Sequence, residues 1–198
     1  YLERYKPRQS ADIILDTTTI ENPRIVDSLK PLKLLECTVC HRQYTPETRV
    51  SRCVSCGGDL EFDIKGPVDF EASIVRGDNS MWRYRKLLPV TEDAIVTAGE
   101  GNTPVIYLDD LSGELGVELY VKLESANPTG TFKDREASFV VSRSKQLRQN
   151  DIVMQSTGNT GTSISYYAGL AGMRSYFFGP LVSRYKLLMP EKNESAKI

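Results

Sequence analysis

The pattern of apolar and polar positions changes near residue 105. Beyond it, short apolar runs alternate with longer segments whose apolar residues recur every three or four positions. The short runs predict strands and the longer segments predict helices. We expect two strands to pair around a turn within 105–124, in VIYLDDL and ELYVKLE. Two further strands are predicted at 151–156 (DIVMQS) and 174–178 (RSYFF).

Helices are predicted between the later strands. One covers residues 134–150, and the other follows a loop within 157–172. The first helix has one less polar side, formed by Ala137, Val140, Val141, Ser144 and Leu147. Strands that alternate with helices are typical of a parallel sheet covered by helices, so the predicted fold class is α/β.

The sequence before residue 105 is organised differently. Residues 1–36 form a charged, proline-containing leader, and residues 37–62 form a compact cysteine unit. Residues 63–104 are a connector and lead-in, with an amphipathic piece, MWRYRKLLPV, that stops at a proline. Residues 105–198 are then the predicted α/β domain.

The composition and charge of the chain limit the classes of partner that it is expected to bind. The 25 basic and 26 acidic residues give a net charge of -1, so no overall charge favours nucleic acid or an anionic membrane. No apolar run approaches the roughly 20 residues of a membrane-spanning helix. The first residues, YLERYKPRQSAD, lack the apolar core of a signal peptide. We therefore expect a cytoplasmic protein with reduced thiols and no membrane or nucleic-acid partner.

The cysteine unit has the spacing of a metal site. Cys37 and Cys40 are separated from Cys53 and Cys56 by twelve residues, as CxxC–x12–CxxC. Such pairs can supply four thiolates to one structural Zn²⁺, as in a zinc ribbon. The alternatives are a site that has lost its metal, or two thiol pairs without a role. A complete four-cysteine set leaves neighbouring His41 outside the site and no open position for catalysis.

A second candidate feature is the lysine of 127-NPTGTFKDREAS-138. Lys133 lies at the expected start of a helix, where Asp134 and Arg135 can brace the turn and Phe132 is expected to pack on the sheet. A lysine fixed and partly removed from water can form a Schiff base with a carbonyl, including pyridoxal phosphate (PLP). The alternative is an ordinary solvated lysine.

A third feature is the small-residue loop 155-QSTGNTGTS-163, which follows a strand and opens a helix. Free N–H groups at a helix start favour an anion, so a carboxylate or phosphate is the expected ligand. The alternative is a plain strand-to-helix turn with a Ser or Thr cap.

The two segments NPTGTFKDR and STGNTGTS together resemble the fold-type II PLP enzymes and, among them, the threonine synthase family. The lead-in MWRYRKLLP, the later GEGNTP and the cysteine unit also resemble parts of that family. The similarity covers roughly residues 37–178. One departure is Thr131, where the family usually has serine.

The resemblance implies specific roles for the candidate residues. Lys133 would hold PLP and carry protons, and Asn159 would contact the ring hydroxyl of the cofactor. The substrate carboxylate would be bound by Ser156, Thr157, Gly158, Asn159 and Thr160. The implied fold is a parallel three-layer sheet of the fold-type II kind, preceded by a small zinc ribbon.

The implied activity is conversion of O-phospho-L-homoserine and water to L-threonine and phosphate. The implied partner is a small amino-acid substrate, and a homodimer is compatible with the family. Cysteate synthase, threonine dehydratase and a non-catalytic binding module are the alternatives. The family also has a larger second half with a glycine-rich phosphate loop. Nothing up to Ile198 matches that half, so an incomplete sheet is expected.

Overall fold

A computed structural model of the chain describes residues 15–16, 24–25, 32–45, 48–64, 69–179 and 196–197. It divides into two compact units. The first is Tyr1–Ile74 with Lys86–Pro89, and the second is Val75–Arg85 with Val90–Ile198. Most of the predicted leader, residues 1–36, lies outside the described residues. The predicted domain boundaries stay predictions.

The first unit contains antiparallel strands. The strands are β1 (Leu15–Asp16), β2 (Arg24–Ile25), β3 (Leu32–Cys37), β4 (Gln43–Tyr44) and β5 (Leu60–Ile64). β1 pairs with β2, and β3 lies between β4 and β5 in a separate three-stranded sheet. Both cysteine pairs are therefore attached to this second sheet, because Cys37 ends β3 and the other pair precedes β5. A short helix, α1 (Phe70–Ser73), follows and is capped by the Asp69 carboxylate.

The second unit begins with two 3-10 segments, Met81–Leu87 and Glu92–Ala94, of which the first extends by two residues into the other unit. The first segment covers most of the piece that was expected to be amphipathic and ends before Pro89, and its Trp82 is only 1% exposed. Among the helices that the structure describes, none has the length and apolar character required to cross a bilayer.

The strands β6 (Val105–Tyr107) and β7 (Tyr120–Lys122) pair antiparallel, as expected, but they are not joined by a simple turn. A helix, α2 (Asp109–Leu115), lies between them, so the predicted extent of both strands was wrong. Two aspartates lie in its first turn, where their negative charges interact favourably with the positive end of the helix dipole. Gly116 closes the helix in the left-handed region at φ 67°, where glycine is favoured.

The later elements confirm the α/β class. In chain order they are α3 (Lys133–Gln146), β8 (Asp151–Gln155), α4 (Asn159–Leu170), β9 (Arg174–Phe178) and β10 (Ala196–Lys197). β9 lies between β8 and β10, and both pairings are parallel. The carboxyl end of β8 therefore leads directly into α4, the arrangement that creates ligand sites in parallel sheets.

The core of the second unit lies between α3, α4 and β8. Its buried residues are Val96, Ala137, Val141, Ile152, Ile164, Tyr167, Ala168 and Met173. On the predicted side of α3, Val140 and Leu147 are only half-buried, while the others are buried. Ser138 Oγ donates to the Val96 carbonyl at 2.7 Å and Ser142 Oγ accepts from the Val96 N–H at 2.8 Å. These bonds fix the lead-in segment against α3.

Candidate active site

Lys133 is the first residue of α3, as the sequence predicts. Its backbone N–H donates to Thr131 Oγ1 at 3.3 Å, and its Nζ lies 2.7 Å from Glu136 Oε2. The lysine side chain is 31% exposed. Phe132 does not pack on the sheet as expected, because it is 56% exposed and its ring centre lies 5.1 Å from Lys133 Nζ. The ammonium therefore has one carboxylate and one aromatic neighbour.

The turn before Lys133 is fixed by a fully buried carboxylate. Asp134 accepts from the backbone N–H of Thr129 at 2.6 Å and also from the Thr129 hydroxyl. The same hydroxyl lies 3.0 Å from Ser163 Oγ in α4. Asp134 thus braces the helix start, as expected from the sequence, and connects it to the neighbouring helix.

Arg135 braces the same helix start from another side. Its guanidinium donates two bonds to Glu124, of 2.9 and 2.8 Å, in a forked pair. Glu124 also accepts from Thr103 Oγ1 and from Asn127 Nδ2. The Arg135 hydrogen bonds are the main reason that the pKa of Glu124 falls to about 2. Three segments of the chain therefore meet at this carboxylate.

The small-residue loop joins β8 to α4. Ser156 is buried, and its Oγ accepts from the N–H groups of Gly158 and Gly161 at 3.1 and 2.9 Å. This hydroxyl stabilises the loop and accepts one N–H group from the first turn of α4. Asn159 is the first residue of α4, and its Nδ2 donates to Thr131 Oγ1 at 3.4 Å. Thr131 thus contacts the first residue of both helices.

The lysine and the loop share one cavity. Its volume is about 450 Å³, and its lining is Lys133, Gln155, Ser156, Thr157, Gly158, Asn159 and Thr160. The structure therefore brings together every residue that the sequence predicts for cofactor and substrate. Gln155 was missed, although its place at the carboxyl end of a parallel strand could have indicated it.

The donor set of this cavity fits the aldehyde group of PLP and an anionic substrate. Lys133 supplies an amine that can bond to the aldehyde of the cofactor. The loop supplies hydroxyl and amide groups at the N-terminus of a twelve-residue helix, where a carboxylate is stabilised.

A buried carboxylate behind the two helices was also missed. Glu100 is 0% exposed and accepts hydrogen bonds from Trp82 Nε1, Thr97 Oγ1, the Ala98 N–H and Tyr167 OH. Trp82 Nε1 also donates to Ser138 of α3 at 2.8 Å, and Tyr167 belongs to α4. Burial, followed by the bond to Glu100, raises the pKa of Tyr167 above its usual range. Glu100 therefore connects the lead-in to both helices.

The four cysteines of the first unit form a separate cluster. Their sulfur atoms lie within 4.8 Å of one another, and none is in a disulfide. A tetrahedral Zn²⁺ with Zn–S bonds of about 2.3 Å places its sulfurs about 3.8 Å apart, so the set fits this metal. A Cβ at Gly58 would approach Cys37 Sγ to 2.9 Å, which explains the glycine there. His41 instead lies 2.8 Å from the Glu36 carboxylate, outside the sulfur cluster.

Comparison with known proteins identifies the family of the chain. The family model described as "Pyridoxal-phosphate dependent enzyme" matches residues 96–198, which is more than half of the chain. The chain belongs to the PLP-dependent enzyme family. The matched range contains Lys133 and the whole small-residue loop.

Several curated relatives of this PLP-family chain are named threonine synthase. The protein from Halalkalibacterium halodurans is 48% identical over 101 residues, covering 48% of this chain and 28% of the relative. The protein from Methanocaldococcus jannaschii is 38% identical over 148 residues, covering 71% and 36%. The chain thus spans about a third of the length of these relatives. A solved structure of maize serine racemase overlaps 45% of the chain at 25% identity and a TM-score of 0.40.

Proposed function

We propose that the protein carrying this chain is a PLP-dependent threonine synthase, a carbon–oxygen lyase. Its reaction converts O-phospho-L-homoserine and water to L-threonine and phosphate. The observation that carries the proposal is the shared cavity of Lys133 and the loop from Ser156 to Thr160. The name threonine synthase, shared by the relatives, supports this choice of substrate.

In this proposal Lys133 holds the cofactor through its Nζ. When bound, PLP supplies an electron sink for negative charge that develops on the substrate. The Lys133 Nζ amine would take the proton from the α-carbon of the substrate and then help to move a proton at the β-carbon. Phosphate leaves from the γ-carbon and water adds at the β-carbon. The half-buried position of Lys133 on the first helical turn keeps this amine at the cavity.

The loop residues bind and orient. Thr157, Asn159 and Thr160 offer hydroxyl and amide groups to the substrate carboxylate, with the helix dipole adding to the attraction. Asn159 is also assigned to the ring hydroxyl of the cofactor. Ser156 and Gly158 keep the loop in shape, because the serine oxygen accepts the N–H of that glycine. A carboxylate fixed at one end of the substrate limits rotation of the reacting bonds.

Substrate turnover tests the proposal. The full-length protein is incubated with O-phosphohomoserine, with O-phosphoserine and sulfite, or with threonine. Phosphate release, ammonia release and the organic product are measured in each case. We expect the wild type to form threonine and phosphate from O-phosphohomoserine. The Lys133→Ala variant should form neither product. A product from phosphoserine would indicate a cysteate synthase, and deamination of threonine would indicate a dehydratase. Unchanged turnover in Lys133→Ala, or none with any substrate in the wild type, would contradict the proposal.

The proposal extends to the setting of the enzyme. A cytoplasmic location is part of the proposal, and the free thiols of the four cysteines support it. A small amino acid is the proposed partner, with a homodimer as the proposed assembly. The metal of the cysteine cluster is assigned a structural role, since four thiols leave no position for a substrate.

A further inference from the structure

Tyr44 holds an unusual position beside the cysteine cluster. It belongs to β4 and lies opposite Leu35 of the central strand β3. Its hydroxyl oxygen is 3.0 Å from Cys53 Sγ and 3.1 Å from the backbone nitrogen of Val54. The ring is therefore anchored in the sheet while the hydroxyl reaches the turn that carries the second cysteine pair.

The direction of these two bonds follows from the chemistry of the groups. The Val54 N–H can only donate, so the Tyr44 oxygen is the acceptor in that bond. The hydroxyl proton is then left for the sulfur of Cys53. Tyr44 thus donates to Cys53 Sγ, and the backbone N–H holds the oxygen at the correct position for this bond.

Cys53 differs from the other three cysteines in this respect. It is 3% exposed, and it also accepts from the Ser55 N–H at 3.4 Å. Cys37 receives a backbone N–H from Val39 at 3.4 Å. Among the described residues, the hydrogen bonds to cysteine sulfur otherwise come from backbone N–H groups or from another thiol.

We propose that Tyr44 is a positioning residue of the metal centre. Four thiolates around Zn²⁺ carry a net charge of about -2, and hydrogen-bond donors to the sulfurs disperse that charge. The Tyr44 hydroxyl withdraws electron density from the Cys53 sulfur and fixes its direction toward the metal. The sequence pattern CxxC–x12–CxxC does not indicate this role, because Tyr44 is one of the twelve intervening residues that the pattern leaves unspecified.

The test uses Tyr44→Phe in the full-length protein. Partner groups around a metal ligand typically change affinity by about 10- to 100-fold when removed. We expect zinc affinity, measured by competition with a chelator, to fall within that range. In the Co²⁺-substituted protein, the sulfur-to-cobalt charge-transfer band should move to lower energy, because a sulfur without its donor releases electrons more readily.

Controls separate this role from a purely structural one. Thr38→Val removes a 3.3 Å side-chain bond to the Asp59 carbonyl in the same unit without touching sulfur, so its band should stay in place. Replacing Tyr44 with 3-fluorotyrosine keeps the size and strengthens the donor, so the band should move to higher energy. This replacement serves as the test if Tyr44→Phe fails to fold. A band and affinity unchanged in both Tyr44 variants, or a shift shared by Thr38→Val, would overturn the proposal.

Discussion

Replacing Tyr167 with phenylalanine is expected to weaken the second unit in a measurable way. The tyrosine is 0% exposed, and its hydroxyl donates to the fully buried Glu100 carboxylate at 2.7 Å. Phenylalanine keeps the ring in the core and removes only the donor. The substitution therefore isolates one hydrogen bond between α4 and the lead-in.

The magnitude follows from the charge on the acceptor. A hydrogen bond to a charged group contributes about 1.5–3 kcal/mol to stability. Glu100 keeps its bonds from Trp82, Thr97 and Ala98, so the carboxylate is not left unpaired. We therefore expect the free energy of unfolding to fall by about 2 kcal/mol. Urea denaturation followed by the fluorescence of Trp82, the one tryptophan in the sequence, measures this loss.

The neighbouring tyrosine provides a matched control. Tyr166 is 39% exposed, so Tyr166→Phe should change the free energy of unfolding by less than about 0.5 kcal/mol. Equal values for the two variants would refute the claim that the Glu100 carboxylate fastens α4.

Three further predictions concern charge and metal. Because Arg135 holds the pKa of folded Glu124 at about 2, below its usual 4.5, its stabilisation is present above pH 4.5 and is lost as pH falls toward 2. In an acid-unfolding curve, Glu124→Gln should remove the loss of stability between pH 4.5 and 2. A Glu124→Gln curve that matches the wild type would contradict this assignment. Glu136→Gln should speed loading of PLP about twofold, as expected for loss of an ion pair on one helical turn, when followed by absorbance. Glu118→Gln controls for net charge, and equal rates in both variants would argue against a specific contact. Removing zinc with a chelator should expose all four cysteines to alkylation, counted by mass spectrometry. Equal labelling with and without the chelator would mean that no metal protects them.

The elements that sequence could predict are those with a long or repeated pattern. In α3, a buried stripe through Ala137 and Val141 fixed the helix, and β8 and β9 were recognisable as short apolar runs. The seven-residue α2 was missed because most of its side chains face solvent, which leaves little apolar periodicity to detect.

The same contrast holds for the site. Lys133 and the small-residue loop are local motifs, so their residues could be predicted before their distances were known. The role of Glu100 could not be predicted, because its partner Tyr167 is 67 positions away and no local sequence pattern around either residue indicates the hydrogen bond. In the sequence Thr131 differs from the family only by replacing serine, whereas in the structure its side-chain oxygen contacts both Lys133 and Asn159.

Borohydride trapping determines whether Lys133 is the residue that binds the cofactor. The full-length protein is mixed with PLP, reduced with borohydride, digested and analysed by peptide mass spectrometry. We expect a pyridoxyl group on the peptide that contains Lys133, and no such group in Lys133→Ala. Lys122→Ala is the control, because that lysine bonds the Thr103 carbonyl and does not line the cavity. A pyridoxyl group on another lysine, with Lys133 unmodified, would contradict the assignment.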